Sequence, residues 1–217
     1  MRVEGRVGVG RYSDDLEVPP RIGSQGETIV SELNGKYYEQ TMRGNAFVYA
    51  TAAAGVTLAA PTTSTVPIIW NPSGSGKILI ITKVAVGYVS ATSSAGNIIY
   101  CTFLNCGAQV GTAAPFVSLT QVAGVNLLIG GGNQSVMRFA PTTVSMTTGP
   151  TYLCPMGVSM VAQTAATANN PWTMIDEVDG RIIITPGNAF AVAANAAVAM
   201  VASVAIYGLE LPVPLTM

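Results

Sequence analysis

Residues 70–88 constrain this chain more than any other stretch: Trp-Asn-Pro-Ser-Gly-Ser-Gly-Lys, then Ile-Leu-Ile-Ile-Thr-Lys-Val-Ala-Val-Gly-Tyr. The first half is turn chemistry. Pro72 fixes its own φ, and Gly74 and Gly76 tolerate the positive φ that a tight reversal needs. The second half predicts one long β-strand. Simple alternation puts Ile78, Ile80, Thr82, Val84, Val86 and Tyr88 on a nearly all-apolar face. Leu79, Ile81, Lys83, Ala85 and Gly87 fall on the other, more mixed face. A strand with one dry face and one mixed face belongs in a sandwich.

Further strand candidates come at short intervals: 46–51, 66–70, 97–105, 116–120, 125–129, 136–140, 151–154, 157–163, 181–185, 188–193 and 198–211. Gly130-Gly131-Gly132-Asn133, Gly149-Pro150, Asp179-Gly180 and Pro186-Gly187 punctuate them. Many short strands with such breaks predict an all-β sandwich or barrel. Alanine-rich runs at 159–168 and 189–202 favour helix by propensity. In the second run Phe190 and Val192 alternate with alanines straight after Pro186-Gly187, so a strand is expected there.

Charge divides the chain. Residues 1–45 hold 13 of the 21 charged residues, six basic and seven acidic, together with Pro19-Pro20. They read as an extended N-terminal arm or anchor rather than core. Ile29, Val30, Leu33, Tyr37 and Tyr38 suggest a short amphipathic helix near 27–40. Arg6, Arg11, Arg21, Tyr37, Tyr38 and Arg43 are the expected partner-binding residues of this segment. The body, 46–217, has eight charged residues, and none lies between Lys83 and Arg138. Overall 10% of residues are charged, against about 25% in ordinary soluble domains. So few charges cannot cover a lone globule in the usual way, and contact with copies of itself or another protein is expected. Net charge is −1, so no basic field draws nucleic acid directly. The weakly apolar 189–209 contains Asn195, Ser203 and Gly208, and no membrane span is expected. The start has no apolar leader, so no secretory signal is expected.

No catalytic signature emerges, and neither catalytic residue, cofactor nor metal is expected. Histidine, the commonest general base, is missing. Ser73-Gly-Ser-Gly-Lys77 lacks the leading glycine of a phosphate loop, has Ile78 where that loop needs Ser or Thr, and precedes a strand. It reads as a hairpin turn. Asp176, Glu177 and Asp179 could ligate calcium, but Asp179-Gly180 before a β-run is a hairpin-turn dipeptide, and the turn is preferred. Glu210 with that cluster would be the carboxylate pair of a glycan-cleaving enzyme. Asn133-Gln-Ser135 is a glycosylation sequon, expected to be idle. Cys101, Cys106 and Cys154 read as small buried hydrophobes of a reducing compartment. Trp70, Trp172, Tyr88, Tyr100 and Tyr207 are expected as core plugs, with a sugar-stacking platform as the alternative.

The stretch WNPSGSGKILIITKVAVGY resembles the entry strand of jelly-roll proteins carried by tailed bacteriophages. GRIIITPGNAFAVAANAA and VASVAIYGLELP resemble the end of that fold, where a Pro-Gly turn joins two strands and a last long strand closes beside the first. The resemblance spans roughly 46–217, and similar patterns occur in tumour-necrosis-factor-like trimers. It implies a jelly-roll β-sandwich with an extended N-terminal arm. The implied function is head decoration (cement) on the outer capsid surface, after assembly in the host cytoplasm. Its partners would be two further copies, as a homotrimer, and the major capsid protein or other virion subunits. A fibre or spike module binding host-surface glycans is the alternative.

Overall fold

The computed structural model describes residues 35–58, 60, 66–90, 96–104, 116–117, 122–141, 145–146, 150–160, 172–195 and 200–213. The chain divides into two units, one ending at Glu39 and one running from Gln40 to Met217. A single turn of helix, α1 (Tyr38–Met42), crosses that boundary. It begins later than the amphipathic spacing over 27–40 predicts, and residues 27–34 lie outside the described residues. Among the described residues of the second unit, all else regular is strand. In chain order these are β1 (Ala46–Ala50), β2 (Val56–Leu58), β3 (Ile68–Trp70), β4 (Lys77–Ser90), β5 (Gly96–Phe103), β6 (Phe116–Val117) and β7 (Val125–Asn126). Then come β8 (Arg138–Ala140), β9 (Ser145–Met146), β10 (Thr151–Met160), β11 (Thr173–Asp176), β12 (Ile182–Ile184), β13 (Ala189–Ala194) and β14 (Met200–Pro212). Among the described residues no helix is long and apolar enough to cross a membrane.

The fold is all-β. The first sheet runs β11-β4-β14-β1-β7, with β12 also on β4 and β2 also on β14; the second runs β10-β5-β13-β3-β8. All their pairings are antiparallel. The main core lies between the sheets, where Phe47, Leu79, Val86 and Ile206 of the first meet Ile98, Tyr100, Phe190 and Val192 of the second. Strand β13 is buried at every position. Phe190, Val192 and Ala194 enter the main core, while Ala189, Ala191 and Ala193 join a second cluster with Ile68, Trp70, Cys101 and Phe103. The alternation of large and small residues in 189–194 thus serves two cores, which is why a run rich in alanine is strand and not helix.

The organising strand β4 corrects the simple alternation. Leu79 and Ile81 are core residues, and so are Val84 and Val86. The parity flips because the β4–β14 register slips: Tyr207 sits opposite Lys83 but Gly208 opposite Ile81, leaving Thr82 as the extra residue of a bulge. On the other side, β11 pairs with 84–87 and β12 with 79–81. Residues 177–181 loop out opposite the bulge, and Asp179 N and Gly180 N donate to the carbonyls of Thr82 and Ile81. Asp179 (φ 50°) and Gly180 (φ 81°) form the expected tight turn. It does not reverse the chain into a hairpin, because β11 and β12 lie end to end along one edge of β4.

Two further turns also differ from hairpins. Residues 71–76 carry the chain from β3 in the second sheet to β4 in the first, and Pro186-Gly187 carries it from β12 back to β13. Asn71, fully buried, bolts these two corners together. Its backbone N–H donates to Asn188 O (3.0 Å), and its carbonyl accepts from Gly187 N (2.7 Å). Its side-chain amide donates to Lys77 O (2.8 Å) and Ile184 O (2.9 Å), while Oδ1 accepts from Ser75 Oγ (2.6 Å). Gly74 and Gly76 take φ of 83° and 67°.

Candidate assembly surface

The two sheets treat their outer faces differently. Much of the second sheet's outer face is buried, with the members of the second cluster at most 6% exposed, although Tyr152 of β10, opposite Cys101, is 57% exposed. The first sheet shows its outer face. The registers place its side chains in rows across β11 or β12, β4, β14 and β1. One row is Thr173, Gly87 and Ser203. The next is Ile175, Ala85, Ala205 and Ala50. Beyond it lie Lys83, Tyr207, Val48 and Val125, then Ile183, Ile80 and Leu209. Ile175 is 60% exposed and Ile183 47%. The middle of the face is made of glycine, serine and alanine, so another backbone could approach closely.

Among the described residues, charge on this face is a single paired set. Lys83 Nζ lies 3.0 Å from Glu177 Oε1 and 5.8 Å from the centroid of the Tyr207 ring. Such an exposed pair contributes about 0–1 kcal/mol. It does little to keep the face in water, whereas apolar area buried there contributes about 25 cal/mol per Å².

Between the free edges of the two sheets lies a cleft of about 680 Å³. Leu153, Met156, Ile184 and Phe190 supply apolar walls. Asp176 and Arg181 stand at a polar end, joined Nη2 to Oδ1 at 3.2 Å, and the Tyr100 hydroxyl donates to Asp176 Oδ2 at 3.0 Å. Burial and then that carboxylate push the Tyr100 phenol well above its ordinary range. Cys154 also lines the cleft, and Cys101 is buried in the second cluster with its thiol pushed up to about 11 by burial. Cys106 lies outside the described residues.

The candidate carboxylate pair is not assembled. Glu210 sits opposite Leu79 and Asp176 opposite Val84 on β4, five residues or roughly 17 Å apart at about 3.3 Å per residue. Glu210 is also sealed from solvent, at 0% exposure. Its Oε1 accepts from Tyr49 Oη (2.7 Å) and from the Ser135 hydroxyl; its Oε2 accepts from Val136 N (3.1 Å) and Lys77 Nζ (3.4 Å). Burial pushes the Tyr49 hydroxyl far above its ordinary pKa, and the Glu210 charge adds to this. Glu210 therefore ties β1, β4, β14 and the lead into β8 together.

Among the described residues no group of three or more His, Cys, Asp and Glu is placed to hold a metal ion. The aromatic side chains do not form a platform. Trp70 and Tyr100 are buried, Trp172 stacks on Tyr88 (6.1 Å between centroids) against the core, and Tyr207 is across the sheet under Lys83. Of the expected partner-binding residues, Tyr37 and Tyr38 belong to the first unit and Arg43 to the second. Tyr38 and Arg43 are exposed, and Lys36 Nζ lies 5.4 Å from the Tyr37 ring centroid. Arg6, Arg11 and Arg21 lie outside the described residues.

Sequence reasoning missed Asn71 and Ile129. An asparagine directly before proline in a turn was the signal for the first, and an apolar residue directly before three glycines the signal for the second. Compared with family models, curated proteins and solved structures, the chain has no match.

Proposed function

We propose that this protein is a structural virion subunit: a non-enzymatic capsid-decoration protein that assembles as a homotrimer and bridges capsid subunits on the outer surface of a phage head. The observation that carries the reading is the open outer face of the first sheet, where exposed Ile175 and Ile183 border small residues and, among the described residues, the charge is the Lys83–Glu177 pair. A face of this kind is a contact surface, because hydrating its apolar rows costs more than one exposed ion pair returns, and three copies share the same deficit.

The strand order supports a jelly roll. Taking β11 and β12 as one edge, the order β11-β4-β14-β1 packs on β10-β5-β13-β3, which suits a double Greek key. The charged N-terminal segment supplies the adhesive arm of the reading. Three arms presented together give avidity that one arm lacks, and each must offset roughly 1–2 kcal/mol of backbone entropy per residue ordered.

Binding of the purified chain to undecorated phage heads tests this. Wild type is expected to saturate a fixed number of head sites. A variant with Arg6, Arg11, Arg21 and Arg43 changed to Ala is expected to keep its oligomeric state and lose head binding. Full occupancy by that variant contradicts the arm's role.

A further inference from the structure

Residues 122–131 carry a second apolar feature that runs on from the β7 edge of the sheet face. Val122, Val125, Leu127 and Ile129 are 44, 64, 38 and 96% exposed. Ile129 stands at the tip of a tight turn closed by Gly131 N donating to Leu128 O (2.7 Å), with Gly130 at φ 86°. The tip is braced. Leu127 N donates to Ala46 O (2.9 Å), Asn126 Nδ2 to Gly44 O (2.9 Å), and Leu128 N to Asn126 Oδ1 (2.8 Å). An isoleucine held almost wholly in water on a preformed turn is a prepared contact, since little ordering remains to oppose binding.

The same chain carries a receptacle. The cleft of about 680 Å³ opens at the opposite edge of the first sheet, beside β12, whereas the tip follows β7 at the far edge. Four strand spacings, roughly 19 Å at about 4.8 Å each, separate the two edges, so a chain cannot fill its own cleft. The cleft also suits a side-chain plug better than an added strand. Its wall β10 contains Pro155 and two register irregularities, and the opposite edge is interrupted by the 177–181 loop. Leu153 is the extra residue of the first irregularity and is turned out to the rim, 44% exposed.

Charge agrees. No charged residue lies between Lys83 and Arg138, so the tip is neutral. Asp176 and Arg181 of the cleft already neutralise each other at 3.2 Å. Neither side brings an unpaired charge into the contact.

We propose that the 127–131 tip of one copy seats in the β10–β12 cleft of a second copy, a head-to-tail contact that closes into a ring. It rests on the reading that the chain self-assembles, and it adds the residues and the polarity of the contact. A heterologous contact needs each subunit to offer both surfaces, which this one does, and it gives a ring when its rotation closes and a filament when it does not.

Sedimentation of the full chain with Ile129→Asp and Leu153→Glu tests it. Each variant alone is expected to weaken self-association about 30-fold or more, the effect of a central anchor residue. Mixed one to one, they are expected to form a heterodimer that grows no further, since pairing uses up the one intact tip and the one intact cleft. Circular dichroism on each variant confirms that it is folded. If both variants assemble like wild type, the contact is wrong while self-assembly stands. If both are monomeric and the mixture does not pair, the head-to-tail polarity is wrong. If wild type itself is a monomer at 100-fold the concentration used for head binding, both readings fail. If Leu153→Glu abolishes head binding but not self-association, the cleft belongs to a capsid protein and the proposal is overturned.

Discussion

The Tyr49 hydroxyl donates to the carboxylate of Glu210 across 2.7 Å, and neither group reaches solvent. Tyr49 comes from the first strand and Glu210 from the last. Their bond, with the Ser135 hydroxyl and the Val136 N–H on the same carboxylate, closes the chain on itself. Removing the carboxylate strands three donors and the Lys77 ammonium. Glu210→Leu is expected to destabilise by about 3–5 kcal/mol. Tyr49→Phe should cost about 1–3 kcal/mol, leaving the charge with its other partners. Lys77→Met leaves the fully buried carboxylate without this cation but with its other hydrogen bonds, and should cost about 1–3 kcal/mol. Urea midpoints at constant m-value measure all three.

Gly124 protects that bond. A Cβ there would run into the Tyr49 ring at Cε1. Gly124→Ala must push the ring away from Glu210, and a loss of about 1–3 kcal/mol is expected. In a double-mutant cycle with Tyr49→Phe the two losses should fall short of additive, because the second change removes part of what the first disturbs.

The Asn71 bolt predicts a larger effect than its place in a turn suggests. Asn71→Ala leaves the buried Ile184 carbonyl without its side-chain donor, while Lys77 O keeps the Ser75 hydroxyl at 3.1 Å. A loss of about 1–3 kcal/mol is expected, the cost of one stranded buried group. Asn71→Asp should fare no better, since it offers acceptors where two donors are needed.

Stability should fall on the alkaline side. The Cys101 thiol is raised from 9 to about 11 in the folded state. A raised folded-state pKa gives stability that is complete below the unfolded value and is lost as pH climbs to the folded one. Cys101 thus accounts for a decline between about pH 9 and 11, of order 2–3 kcal/mol at about 1.4 per unit. The Tyr49 and Tyr100 phenols, also raised, steepen the loss above about pH 10. Chemical denaturation from pH 8 to 11 should show the fall beginning near 9 in wild type and a shallower fall there in Cys101→Ala, in which the Cys154 thiol, also raised by burial, still titrates.

How much of this was legible follows from what each residue obeys. Long strands announce themselves: 77–90 and 198–211 are β4 and most of β14, and 188–193 is β13 despite its alanines. Faces were not legible along β4, because the bulge at Thr82 is set by what β14 and the 177–181 loop do, not by β4 itself. The turns at 71–76 and 186–187 were visible as turns. That they cross between sheets was not, since Pro and Gly fix φ locally and say nothing of which sheet comes next. Short strands such as β2 and β11 went unread because three or four residues carry no periodicity. Scarcity of charge gave an expectation of contact with other chains but no location for it, and only the registers bring Ile175, Ala85, Ala205 and Ala50 into one row on the outer face of the first sheet.

Sedimentation equilibrium of wild type against Ala205→Arg tests the central claim most directly, since Ala205 lies mid-face between Ala85 and Ala50. The account predicts a discrete homotrimer for wild type at micromolar concentration and a folded monomer for Ala205→Arg. A wild-type chain that stays monomeric and soluble, or an arginine variant that assembles unchanged, contradicts it.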